Sequence, residues 1–114
     1  MLRRFLTSKI HLAVVTSKDI NYEGSLGLDQ DIIDAAGLQP YEMVYVFDVN
    51  NGNRFETYLI TYPRGSRQCQ LNGAAARLGE IGDRLIILAF GLAEEPISPR
   101  IVLLDENNSI LNKS

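Results

Sequence analysis

The chain has 114 residues, 46% of them hydrophobic, with eleven basic and fourteen acidic residues and a net charge of -3. That is enough apolar material for one small core and gives no sign of a second domain, so residues 1–114 are expected to form a single domain. The basic residues are scattered, which argues against a nucleic-acid footprint, and Cys69 is the only cysteine, which excludes an internal disulfide and a cysteine-rich metal site.

The first residues, Met1-Leu2-Arg3-Arg4-Phe5-Leu6, carry an arginine pair without the apolar run or small-residue cleavage site of a signal peptide. No window approaches the roughly 20 apolar residues of a membrane span, so a cytoplasmic protein without membrane contact is expected. The glycosylation pattern Asn107-Asn108-Ser109 would then never meet its machinery. In chain order, residues 10–15 read as a first strand. A helix is predicted after Leu28, capped by Asp29, with Ile32, Ile33, Ala36 and Leu38 as its stripe and Gly37 and Pro40 as its stop. Strands follow at 43–49 and 55–62. Asn51-Gly52 between them signals a hairpin of type I′, which needs positive φ at both central residues. Residues 72–78 suggest a short helical turn stopped by Gly79. Strands are predicted at 85–90 and 101–104, the last turning through Asn107-Asn108 into a short hairpin with a frayed end. Several strands are continuously apolar, as if buried on both faces, and Cys69 is expected as a buried, inert thiol. Short strands at close intervals favour a small closed β-barrel over a sandwich, because closure removes exposed edges.

Four stretches carry chemistry. At Gly24-Ser25 a serine hydroxyl can reach the preceding carbonyl with no Cβ in the way, although a lone Gly-Ser pair is ordinary turn chemistry. Arg54 offers a fork for a carboxylate, and Tyr58, on the same strand face, offers a proton; alone, the pair is equally a solvated arginine and a packed aromatic. Thr57 falls on the opposite face, so it can join them only through a bulge or across a subunit boundary. Asn72-Gly73-Ala74-Ala75-Ala76 leaves backbone N–H groups accessible, and is otherwise a tight connection. Lys9 and His11 share one strand face, and no second histidine exists for a metal pair.

Together these residues resemble the pyruvoyl-dependent aspartate 1-decarboxylases. The likeness runs from Ser8-Lys9-Ile10-His11 through Tyr22-Glu23-Gly24-Ser25, Asp29-Gln30-Asp31, Asp34-Ala35-Ala36-Gly37, Asn51-Gly52, Arg54-Phe55, Thr57-Tyr58 and Arg64-Gly65-Ser66 to Asn72-Gly73-Ala74-Ala75-Ala76 and Gly82-Asp83. It weakens beyond about Phe90. The resemblance implies a closed six-stranded double-psi β-barrel with short helices. It also implies a homotetramer with intersubunit sites, and a zymogen that cuts itself into a β chain of residues 1–24 and an α chain of residues 25–114. Gly24-Ser25 would be the processing bond, assisted by Thr57 and Asn72. Ser25 would become a covalent pyruvoyl group that forms a Schiff base with L-aspartate, with no metal and no pyridoxal phosphate. Tyr58 matches the proton donor; Lys9, Arg54, Thr57, Gly73, Ala74 and Ala75 match substrate-binding positions; His11 and Tyr22 are accessory candidates. The product would be β-alanine for pantothenate and coenzyme A synthesis. Phe47, a tryptophan in some members, and Leu26 are expected to stand outside the chemistry. A maturation factor is an open partner. An inert barrel used as a binding module, and a pyruvoyl decarboxylase for another amino acid, are the alternatives; retention of Ser25 and Tyr58 argues against the first, and the cations Lys9 and Arg54 favour a diacid against the second.

Overall fold

Alternating burial organises the protein. In the computed structural model, which describes residues 1–112, most strands turn every second residue toward one core. The strands are β1 (Arg3–Val14), β2 (Ser17–Asp19), β3 (Ser25–Asp29), β4 (Met43–Asp48), β5 (Arg54–Tyr62), β6 (Cys69–Asn72), β7 (Arg84–Ala93) and β8 (Arg100–Leu103). They form one mainly antiparallel sheet in the order β2-β6-β3-β5-β4-β7-β1-β8, with parallel pairings at β2/β6, β3/β5 and β1/β8. Among the described residues the sheet has eight strands where the resemblance implied a six-stranded barrel; the short β2 and β8 pair in parallel with β6 and β1. The core gathers Ile10, Ala13, Leu26, Leu28, Val44, Val46, Leu59, Leu71, Leu85 and Ile87, among others. No helix among the described residues is long and apolar enough to cross a membrane.

Burial on both faces is complete in β3, every residue of which is buried, and reaches Leu71 and Asn72 at the end of β6. The apolar runs of β4 and β7 instead alternate, so one face of each meets the core and the other keeps exposed apolar groups such as Met43, Phe90 and Leu92. The predicted helix is α1 (Gln30–Ala35). Asp29 caps it by accepting from the Asp31 N–H at 2.8 Å, and Ile32 and Ile33 are its buried residues. The same carboxylate accepts from Gly65 and Arg67 N–H groups at 3.1 and 2.8 Å, tying the loop after β5 to the start of the helix.

The hairpin between β4 and β5 exists, but its turn differs from the expectation. Gly52 alone has positive φ, at 77°, and Asn51 does not share it. The connection is instead organised by Asp48, whose Oδ1 accepts from Asn50 at 2.9 Å and from Asn51 at 3.4 Å, while its backbone N–H donates to Asn53. A buried carboxylate collecting several backbone donors replaces the two-residue turn. The C-terminal hairpin shrinks to one bridge, Leu104 with Ile110. Asn108, at φ 59°, is buried there and holds the backbone of Val14 and Arg67 with three hydrogen bonds. Residues 72–78 hold a 3₁₀ helix, Gly73–Arg77.

Candidate active site

The junction of Gly24 and Ser25 enters the sheet at its most enclosed strand. Ser25 begins β3, pairs with Asn72 on β6, and is 2% exposed. Its φ is 113°, a value that costs a residue with a Cβ on the order of 1–3 kcal/mol. Its Oγ is buried without a hydrogen-bond partner. A buried hydroxyl without a partner costs about 1–3 kcal/mol, so backbone strain and an unsatisfied nucleophile coincide at one residue.

Two glycines, Gly73 and Gly27, make the surroundings possible. Gly73 has φ 61°, and a Cβ on it would stand 2.8 Å from Gly24 Cα and 3.2 Å from the carbonyl oxygen of Tyr22. The 3₁₀ helix can therefore lie against the backbone of residues 22–24 only with glycine at 73. Around Gly24 there is room: the nearest atom to a Cβ built there is Tyr58 Oη, at 3.8 Å. Gly27 has no such room, since a Cβ on it would collide with the Tyr62 ring.

Tyr58 arrives by register. β3 and β5 run parallel with Leu26 opposite Leu59, so Tyr58 lies one step back along β5, beside Ser25, on the face away from Leu59 and the core. Its ring lies 6.4 Å from that of Tyr41. Asn72 is fully buried; its Oδ1 accepts from Gln70 Nε2 at 2.7 Å and its Nδ2 donates to Tyr62 Oη at 3.3 Å. Ser17 Oγ in turn donates to Gln70 Oε1 at 2.7 Å.

Within one chain the structure thus gathers Tyr22, Gly24, Ser25, Tyr58, Asn72 and Gly73, with Ala74 and Ala75 next along the 3₁₀ helix. It does not gather the others. Lys9 and His11 lie on β1, between β7 and β8, and no hydrogen bond or ion pair among the described residues joins them or Arg54 to Ser25. His11 Nδ1 is buried without a partner, and its pKa is lowered by burial first and then by the charges of Lys9 and Arg84. Arg54 stacks its guanidinium 4.2 Å above the Phe47 ring. Phe47 thus packs against one of the carboxylate-binding candidates. Thr57 stays on the face opposite Tyr58, and the pairing of β4 with β5 runs without a shift from Tyr58 to Arg54, so no bulge turns it around.

Ser17, Gln70 and Tyr62, which surround Asn72, escaped the sequence reading, because their association crosses three elements and leaves no local spacing. Cys69 is buried with its thiol pushed up to about 12, the inert state expected. Among the described residues no group of three or more His, Cys, Asp or Glu side chains is placed to hold a metal.

The sequence model of the aspartate decarboxylase family matches residues 1–111. The chain belongs to that family. Among curated relatives, the aspartate 1-decarboxylase of Fervidobacterium nodosum is 52% identical over 112 residues, covering 96% of this chain and 97% of its own. That of a Thermotoga species, strain RQ2, is 50% identical and covers 99% of both chains. That of Leptospira biflexa, strain Patoc 1, is 56% identical over 105 residues, covering 88% of this chain and 89% of its own. A computationally designed protein, msDPBB_sym2, aligns with a TM-score of 0.45 at 14% identity, covering 75% of this chain and 96% of that one.

Proposed function

We propose that this aspartate decarboxylase cuts itself between Gly24 and Ser25 and then converts L-aspartate to β-alanine and CO2. Family membership supports the reaction and the substrate. The observation that carries the self-cleavage is the state of Ser25, strained in backbone and with its buried Oγ lacking a partner. The residues present fit a group made from this serine: the hydroxyl is held in no competing bond, and Gly73 removes the Cβ that would press on the Gly24 backbone.

In the cleavage, Ser25 Oγ adds to the Gly24 carbonyl carbon and loses its proton. The Gly24–Ser25 C–N bond then breaks to leave an ester and a free amine. Asn72 and Thr57 are the donors proposed for the charge on the Gly24 oxygen. Loss of the Ser25 α-proton expels the Gly24 carboxylate, and water replaces the nitrogen as ammonia, which leaves a ketone at the new end of residues 25–114. That pyruvoyl group supplies an electron sink for the bond to the departing carboxyl. The chain's residues do the rest. Tyr58 holds a proton beside Gly24 for the carbon that loses CO2, the Gly73-Ala74-Ala75 backbone offers N–H donors, and Arg54 and Lys9 bind carboxylates.

Lys9, His11 and Arg54 lie away from Ser25 in a single chain, and Thr57 cannot turn toward Tyr58 by a bulge. A homotetramer with sites between subunits reconciles these placements, with His11 and Tyr22 as accessory groups. The sheet is proposed to close into the double-psi barrel through the run Val15-Thr16, which carries β1 into β2 and lets the Thr16 N–H donate to Cys69. The β-alanine would feed pantothenate synthesis. Intact-mass spectrometry of the purified protein tests the reading: fragments of residues 1–24 and 25–114, the larger without its amino group, are expected. A single uncut chain without decarboxylase activity overturns it.

A further inference from the structure

We propose that Tyr41 is a positioning residue for Tyr58, its ring keeping the Tyr58 hydroxyl beside Gly24 during decarboxylation. The inference rests on the reading of Tyr58 as the proton donor. Tyr58 Oη stands 3.8 Å from a Cβ built on Gly24, yet the residue is 38% exposed, so core packing alone does not hold its ring there. The Tyr41 ring lies against it. The two centroids are 6.4 Å apart with the planes tilted by 39°, inside the range over which aromatic pairs attract.

The backbone at Tyr41 is one that ordinarily takes glycine, and two separate rules say so. Gln39-Pro40-Tyr41-Glu42 is a turn closed by the Glu42 N–H, which donates to the Gln39 carbonyl at 3.2 Å. Pro40 fixes a negative φ at its second position and Tyr41 has φ 68° at its third, which makes the turn type II, with glycine or asparagine favoured where Tyr41 stands. Tyr41 and Glu42 also face a single residue of β5: the Tyr41 N–H donates to the Leu59 carbonyl at 2.8 Å, and the Leu59 N–H donates to the Glu42 carbonyl at 3.1 Å. Two residues opposite one form a bulge just before β4, and its left-handed first residue is again usually glycine. Met43 pairs with Tyr58, so this bulge sits one step from the proposed donor. Glu42 Oε1 accepts from the Gln39 N–H at 3.0 Å and ties the turn a second time. The chain thus holds a tyrosine in a strained conformation from several sides. Burial does not account for it, since Tyr41 is 76% exposed. The contact with Tyr58 does.

Turnover of L-aspartate by fully processed, full-length protein tests the role. Tyr41→Gly suits the backbone and removes the ring; kcat is expected to fall about 10-fold, with KM changed less than about twofold, because the acid is misplaced and the substrate is not released. Tyr41→Phe restores the ring and should return kcat to within about twofold of the parent. In the uncut Ser25→Ala protein, Tyr41→Gly should raise the urea midpoint, since the strain at this φ is relieved. A residue kept for the fold alone would lose stability and activity together. In a Tyr58→Phe background, Tyr41→Gly should cost nothing further, because no hydroxyl is left to position. A parental kcat for Tyr41→Gly, a fall in both kcat and urea midpoint, or an equal loss in the Tyr58→Phe background overturns the inference. If Tyr41→Gly does not assemble, Tyr41→Asn, which also tolerates positive φ, decides by the same measurements. Tyr58→Phe turning over like the parent would overturn the reading of Tyr58 and this inference with it, a result distinguishable because it is seen with Tyr41 intact.

Discussion

Ser25 and Tyr58 stand beside each other, yet different steps depend on them. Ser25→Ala replaces the nucleophile with a methyl that fits the same buried space, so the fold should persist while cleavage and decarboxylation both vanish. A denaturing gel shows this directly, and a cut Ser25→Ala chain would rule out the serine route. Tyr58→Phe removes one exposed hydroxyl and should leave processing intact. CO2 release from L-aspartate by the processed variant is expected to fall about 10²- to 10⁴-fold, the usual loss for a missing general acid. Turnover equal to the parent would make Tyr58 a packing residue.

Asp48 gives the protein a pH dependence of its own. It is 2% exposed, and burial together with the neighbouring Asp83 carboxyl raises its pKa from 3.8 to about 6. Its Oδ2 has no partner as a carboxylate. The folded protein thus holds this proton more tightly than the unfolded chain. The resulting stability is complete below about pH 4 and is lost as the pH rises through about 6. Asp48→Asn keeps the acceptor for the Asn50 and Asn51 N–H groups and places an N–H donor toward Asp83. It should stabilise the protein by about 2 kcal/mol at pH 7.5 and little at pH 4. Urea unfolding at the two pH values measures this, and an equal effect at both would contradict the assignment.

At the scale of elements, legibility followed local periodicity. β4 and β5 are runs of strand-forming residues joined by a short loop, and α1 carries its cap and stop in its own sequence, so all three could be read in advance. β2, β3 and β6 could not. Ser17-Lys18-Asp19 and Cys69-Gln70-Leu71-Asn72 are short and partly polar, and β3 carries a glycine at its centre; they are strands because distant neighbours pair with them. The site divided in the same way. Gly24-Ser25, Tyr58 and Asn72 stood out as motifs, whereas the hydrogen bonds around Asn72 join residues 17, 62, 70 and 72 and exist only once β2, β5 and β6 are in place. Asn108 looked like a turn residue and is a buried clamp between the C-terminal segment and β1. Asn108→Ala strips partners from the backbone of Val14 and Arg67 and should cost about 3 kcal/mol, read as a lower urea midpoint. A change below about 0.5 kcal/mol would make the clamp ornamental.

For the whole molecule, the separation of Arg54 and Lys9 from Ser25 means that substrate capture should depend on assembly. Arg54→Ala removes a charge-assisted fork and is expected to raise the aspartate KM by about 30-fold, near 2 kcal/mol, with cleavage unchanged. Light scattering should show a tetramer for both proteins. Unchanged KM would leave Lys9 as the only carboxylate contact.

The ten register pairs between β1 and β7 have a last consequence. The cut at residue 24 would release no fragment, because β1 and β2 stay woven into the sheet through β7, β8 and β6. It would, however, change what the protein remembers. An uncut precursor, once unfolded, carries every strand on one thread and can return by itself. The cut protein would have to find its missing first strands in solution, so its recovery from denaturant should slow on dilution while that of Ser25→Ala should not. Maturation would then make the native state a one-way product of synthesis, sustained by the slowness of its unfolding.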